Sequence, residues 1–457
     1  MSLPRRPLGA KRFRLDPVVG TRLALLVALS AGACAGDDSP TAPLGDAGLP
    51  DGGLADTGAA TADSAAPDTA SAVTIVKGDP ADEPLAGLGD ADLERFARGD
   101  ELFGTAFRLP DGLGPLYIRT SCAACHAKGG RGPGTVGKFQ VIDPTTRAPI
   151  KDAPEMAYGG TERPYAVAGA TKPLLAPPAP AAGHALVHSR RVGPTVMGRG
   201  YIDAVLDSEI ERVAAAQAAR ADAIHGRINR VVYHSHAIAG VAVPHELGQG
   251  GIIGRFGLKA RVATLDDFAA DAFQGDMGLT SPMRPDELVN PEGRLDDDKP
   301  GADLPAEIVT TVASYVRTIA IPARSAAAAQ GPGRAAFDAV DCSACHVPTL
   351  RTRADYPVAE LANLDAPVFS DLLLHDMGDD LADYLTDESA GPRDWKTAPL
   401  IALRFQRAFL HDGRALTIED AILRHAGPGS EANGAVAKFQ ALGAAEKQAL
   451  LTFVQGL

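Results

Sequence analysis

Two five-residue stretches, Cys122-Ala123-Ala124-Cys125-His126 and Cys342-Ser343-Ala344-Cys345-His346, constrain this chain more than anything else in it. Each reads C-x-x-C-H, the pattern that attaches a c-type haem. Residues three apart share one face of a helical turn, so both thiols can reach the two vinyl groups of one haem. The His that follows can present a ring nitrogen to the iron as proximal axial ligand. A zinc site built from paired C-x-x-C knuckles wants them about 15–20 residues apart; here more than two hundred residues intervene. A redox dithiol has no need of a His directly after its second Cys. The motifs therefore predict two covalently bound c-type haems, attached at Cys122 and Cys125 and at Cys342 and Cys345, with His126 and His346 as iron ligands. The chain has 5 Cys, which leaves only Cys34 for any other purpose.

Covalent haem of this type is attached outside the cytoplasm, and the N-terminus reads as an export signal. Arg5, Arg6, Lys11, Arg12 and Arg14 form a basic region, and Leu23 to Leu29 is an apolar run too short to span a bilayer. Small residues Ala31-Gly32-Ala33 lead into Cys34. That arrangement resembles a lipobox, in which Cys34 is lipidated and becomes the mature N-terminus; ordinary cleavage at an A-x-A site is the alternative. Residues 1–34 are thus expected to be an export signal, with the protein in the periplasm or cell envelope. Residues 35–86 are rich in Ala, Asp, Gly, Pro, Ser and Thr. Such a composition cannot bury enough surface to offset its ordering entropy, which predicts a disordered tether.

A chain of 457 residues exceeds what one core usually holds. One haem motif per domain gives 87–325 as the N-terminal haem domain and 326–457 as the C-terminal one. Helical patterns cover Asp92 to Phe107, Glu209 to Asp222, Ile308 to Ile319, Gly331 to Val340 and Ala441 to Leu457. Thr264 and Thr417 read as N-caps. Residues 140–190 are Pro- and Gly-rich and read as irregular. The expected fold is mainly α: two cytochrome c-like haem domains in tandem, the N-terminal one enlarged by an irregular insertion. The net charge of -13 argues against nucleic acid and anionic membrane as partners. It leaves membrane contact to the lipid anchor alone.

Several stretches in series resemble a bacterial di-haem oxidoreductase family that carries the thiol oxidoreductase label and is related to di-haem cytochrome c peroxidases. They include GLGPLYIRTSCAACH (112–126), GRGYIDAVLDSEI (198–210), DCSACHVPTLRT (341–352), FSDLLLHDMGDDLAD (369–383) and TAPLIALRFQRAFLHDGRALTIEDAI (397–422). The resemblance implies an oxidoreductase that is peroxidase-like, with a small redox protein as electron donor or acceptor and an oxidant such as peroxide. It also implies His425 as sixth ligand of the C-terminal haem, where related peroxidases place a Met. The residue-level alternative is a histidine that favours the end of its helix dipole. Met377 is a second candidate ligand, and His375 and His411 belong to loops beside the haem. Some related peroxidases hold a calcium ion between their domains.

For the N-terminal haem, no spacing singles out a sixth ligand among His184, His188, His234, His236 and His245. Glu155, Glu162, Asp203 and Glu246 are candidate distal acid-base groups. Two functions follow. In the first, peroxide reacts at an open N-terminal iron and the C-terminal haem delivers electrons. In the second, both irons are closed and the protein only transfers electrons. Thiol exchange is excluded, because every Cys after Cys34 is committed to haem.

Overall fold

The computed structural model describes residues 82–132, 134–150, 152–170, 173, 175–238, 244–291, 301–324 and 331–457. The export segment, Cys34 and most of the tether lie outside them. Ten α-helices run among the described residues: α1 Asp90–Gly104, α2 Arg199–Ala204, α3 Asp207–Ala218, α4 Leu265–Met277, α5 Ala306–Thr318, α6 Pro332–Ala339, α7 Cys342–Cys345, α8 Ile418–Leu423, α9 Asn433–Ala441 and α10 Ala444–Gln455. None is long and apolar enough to cross a membrane.

The same framework appears twice. Helix α1 packs on α5, and α6 packs on α10. Each crossing is made at a glycine, because there is no room for a side chain. A Cβ at Gly99 would lie 2.4 Å from Tyr315 Cβ, and one at Gly333 would lie 2.3 Å from the Ala449 carbonyl oxygen. Four residues after each glycine stands a buried phenylalanine. Phe103 packs on Tyr315 with ring centroids 5.2 Å apart, and Phe337 packs on Phe453 at 5.3 Å. Each buried ring contributes on the order of 2 kcal/mol. The same phenylalanines approach the motif histidines, Phe103 to His126 at 6.3 Å and Phe337 to His346 at 6.4 Å. The crossing of two helices thus sets the position of each C-x-x-C-H.

The mainly helical expectation is corrected. Five two-stranded antiparallel sheets accompany the helices, so the fold is mixed. The longest pairs Val136–Ile142 with Ala185–Arg191, inside the stretch read as irregular. Gly137, Phe139 and Val141 alternate inward, but Gly137 and Lys138 obscured that alternation in the sequence. Helix α1 stops before Phe107, and the C-terminal helix begins only at Ala444, with α9 as a separate element before it.

The boundary at 325 does not separate two cores. The larger cluster joins Phe103, Tyr201 and Phe273 to Leu350, Leu361, Leu373 and Ile401. A smaller one, around Phe337, Phe369, Phe439 and Phe453, is confined to the C-terminal helices and the loops between them.

Candidate functional site

The second motif forms a single helical turn. The peptide N–H of His346 donates to the Cys342 carbonyl at 2.9 Å, and that of Asp371 donates to the Cys345 carbonyl at 2.9 Å. The His346 ring uses Nδ1 on the Phe369 carbonyl at 3.1 Å, which leaves Nε2 free and able to ligate a metal. Burial, reinforced by His425, lowers its pKa to about 4. It is therefore the neutral imidazole that binds metals. His425 follows the end of α8, with Nδ1 on the Ala421 carbonyl at 2.6 Å. Burial holds it below the ordinary histidine value. Two neutral imidazoles, each pinned at Nδ1, therefore serve one region.

The first motif makes a turn without a helix: the N–H groups of Cys125 and His126 both donate to the Cys122 carbonyl, at 3.0 and 2.8 Å. His126 repeats the arrangement of His346, with Nδ1 facing the Gly130 carbonyl at 3.3 Å. The glycine loop after it packs on the motif, since a Cβ at Gly132 would lie 2.9 Å from the Cys125 carbonyl oxygen. Gly193 approaches the ring from the other side, and a Cβ there would sit 3.3 Å from His126 Cε1.

A single cavity of about 830 Å³ reaches both regions and is lined by His126, Cys342, Cys345, His346 and His425. Trp395, the only tryptophan of the chain, stands on its wall. His411 stacks on it at 3.9 Å, its pKa lowered to about 4 chiefly by burial. Lys259 lies over the indole at 4.4 Å. The Asp383 carboxylate accepts from Lys259 at 3.0 Å and from Arg191 at 2.6 Å. This network of rings and charges fixes the wall.

None of the six histidines between the motifs lines the cavity; His225 is exposed and its backbone N–H donates to Glu431 at 3.0 Å. His184 faces Glu155 at 3.0 Å, His188 faces Glu162 at 3.0 Å and His234 faces Glu388 at 3.1 Å. His245 packs edge-on to Tyr233, and the His236 N–H donates to the Met283 carbonyl. Glu155, Glu162, Asp203 and Glu246 are likewise off the cavity wall; Asp203 holds Tyr356 and Arg317. His375 does reach it, but not as a ligand. Its Nε2 meets Asp371 at 2.9 Å and its Nδ1 meets Glu431 at 2.7 Å. Burial works against its charge, yet Asp371 and Cys345 raise its pKa well above the ordinary value. Met377 also faces the cavity.

Among the charged cavity residues that sequence reasoning missed are Lys138, Arg199, Asp276 and Lys396. No local pattern marks them, because only the fold brings them together. Among the described residues the cluster of three metal-capable side chains is Cys345, Asp371 and His375. That is not the all-oxygen cage calcium takes.

Residues 184–457 match the family described as "Di-haem oxidoreductase, putative peroxidase". The chain belongs to that family. The matched span holds the second motif of this di-haem oxidoreductase and begins after the first. No curated protein matches the chain. Among solved structures, Kuenenia stuttgartiensis hydrazine synthase is similar over 84% of this chain and 97% of that chain, at 14% identity and a TM-score of 0.30. A likeness of that size carries no argument about fold or chemistry.

The haem cofactors of a di-haem oxidoreductase fit the residues present. The cavity has histidine Nε2 atoms free to ligate, and two cysteines on its wall. Burial pushes the Cys122 and Cys342 thiols up to about 12, which disfavours thiolate redox chemistry.

Proposed function

We propose that this di-haem oxidoreductase reduces a small oxidant of the peroxide class. On this reading Cys122 and Cys125 hold one haem covalently, ligated by His126. Cys342 and Cys345 hold the other, between His346 and His425. The observation that carries the reading is unequal provision of ligands. His425 shares the His346 region, whereas none of the six histidines between the motifs, His225 included, comes to the cavity that His126 lines. The N-terminal site is then the reactive one, and the C-terminal site delivers electrons from a small redox protein. The haem supplies the redox chemistry and the open coordination position.

What the chain supplies is proton handling. Cleaving a peroxide to water takes a pair of protons along with a pair of electrons. Asp276, at the end of α4, is exposed where it opens onto the cavity. Desolvation by the protein packed around that cavity raises its pKa, although Lys138 acts in the opposite direction. Its charge is felt at both Cys122 and Cys125, which puts it beside the N-terminal site. A carboxyl group whose pKa is raised in this way is suited to hold a proton and pass it on. The export signal and the Cys34 anchor, outside the described residues, belong to the same reading and place the protein in the periplasm or cell envelope.

Cyanide titration of the full-length, haem-loaded protein tests the proposal. One haem of the two is expected to bind cyanide, and Asp276→Asn to lower kcat/KM for peroxide by about a hundredfold or more with cyanide affinity retained. If neither haem binds cyanide in either redox state, both irons are closed and the electron-carrier reading replaces this one. His411 and Met156, which also face the cavity, are then the groups to replace.

A further inference from the structure

Most buried cations of this protein are neutralised. Arg191 and Lys259 share Asp383, Arg261 meets Asp271, Arg284 meets Asp267, and Arg317 lies between Asp203 and Asp266. Others are held by pairs of carbonyls, as Arg131 is by Ala408 and Leu410. Lys138 is held by the Thr161 hydroxyl. Arg199 and Lys396, also on the cavity wall, have neither a carboxylate nor a hydroxyl partner among the described residues. Arg199, the first residue of α2, donates Nε to the Thr195 carbonyl at 2.6 Å and forms no ion pair among the described residues. Lys396, at the end of the strand Asp394–Lys396, is 9% exposed. Its ammonium has neither a carboxylate nor another acceptor there.

The two cations also act on each other. Burial, and then the charge of Arg199, lower the Lys396 pKa to about 7. Burial brings Arg199 down to about 10. Two like charges in one buried cavity without a counter-ion are costly, because desolvation and mutual repulsion both oppose them. Such a pair persists when something absent from the polypeptide supplies negative charge. Position says what that is. The charge of Arg199 is felt at His126, and that of Asp371, beside the second motif, is felt at Lys396. Both cations line the cavity that His126, His346 and His425 also line, and a haem held at either motif would bring its carboxylates into that cavity.

We infer that Arg199 and Lys396 form a carboxylate-binding site for haem propionates. The inference rests on the haems occupying this cavity. It adds a role that neither motif carries: the cations neutralise the propionates and raise the potential of the iron nearest them. A carboxylate-bearing substrate is the other source of the same chemistry.

The test is spectroelectrochemical titration of the full-length protein against Lys396→Met and Arg199→Gln, with covalent haem counted by mass spectrometry. Both variants should keep two haems, and the same haem should show a lower midpoint potential in each. Lys396→Arg should return that potential towards the wild-type value. If haem is missing from the wild type, the haem reading itself fails. If both variants hold two haems at unchanged potentials, only the present inference fails. Addition of benzoate separates the two sources: a wild-type potential that moves with benzoate, and variants that no longer respond, would assign the cations to a free carboxylate and overturn the propionate site. Should the variants not accumulate, resonance Raman of the wild type decides. A propionate bending band that shifts in deuterium oxide is expected, and no shift at either haem overturns the inference.

Discussion

His375 shows how far a residue's chemistry can depart from its sequence context. It is 2% exposed, yet it lies between the Asp371 and Glu431 carboxylates, and the three form one charged unit. Its folded pKa is raised well above the ordinary histidine value, so its stabilising effect is complete below about 6.5 and is lost as pH rises through the folded value. Glu431 runs the other way. Burial raises its pKa, but His375 brings it below the ordinary carboxylate value, so its contribution is complete above about 4.5 and is lost in acid. The unit is worth most between those limits. His375→Gln should destabilise the protein by about 3–5 kcal/mol at pH 5 to 6, measured by denaturant unfolding. The difference should narrow at pH 3 and again in alkali. A deficit that does not change with pH would mean that His375 contributes by packing alone. The sequence placed His375 beside the haem but gave no sign of its charge, because Glu431 comes from a distant loop.

Helix α8 shows what an element can do for a site. Thr417 accepts the Asp420 N–H at 3.0 Å, and Glu419 and Asp420 favour the positive end of the dipole. Six residues later the helix ends at Leu423, and the turn beyond it carries His425. The helix was expected to reach His425; instead the imidazole turns back on the Ala421 carbonyl, so the helix holds the ring through its own last turn. Thr417→Ala should cost about 1 kcal/mol and loosen that turn. A small high-spin fraction is expected to appear in the EPR spectrum at acid pH before any change in haem content. His425→Gly should convert the whole C-terminal haem to high spin. Thr417→Ser should behave as wild type. An unchanged spectrum in His425→Gly would remove His425 from the ligand set. The caps at Thr264 and Thr417 were legible because a cap is a local event within four residues. The strand pair Val136–Ile142 with Ala185–Arg191 was not, since its partners are separated by a long loop and glycine blurs its period.

At the scale of the whole molecule, the two motifs share a core as well as a cavity. Leu350, Leu361, Leu373 and Ile401 follow the proposed boundary in sequence but pack with Phe103, Tyr201 and Phe273. Separating the halves would expose those side chains at a cost of about 1.5–3 kcal/mol each. A fragment of residues 331–457 should therefore melt without a cooperative transition by circular dichroism, although it holds α6, α10 and a complete C-x-x-C-H. A sharp, reversible melt would show that the smaller cluster around Phe337 and Phe453 suffices, and that the tandem-domain division stands.

The sequence by itself determined what is local: two C-x-x-C-H motifs, the helical periods around them, two threonine caps, and enough ordered family signature to identify a di-haem oxidoreductase. These rest on covalent spacing and on hydrogen bonds within a few residues, which no distant contact can alter. Only the tertiary structure decided which histidines come to the cavity, that Asp276 opens into it beside Cys122, and that Arg199 and Lys396 meet there without a counter-ion. Those properties depend on burial and on charges brought together from elements far apart in the chain. Electrostatic free energy in a low-dielectric interior is set by such neighbours and not by residue type.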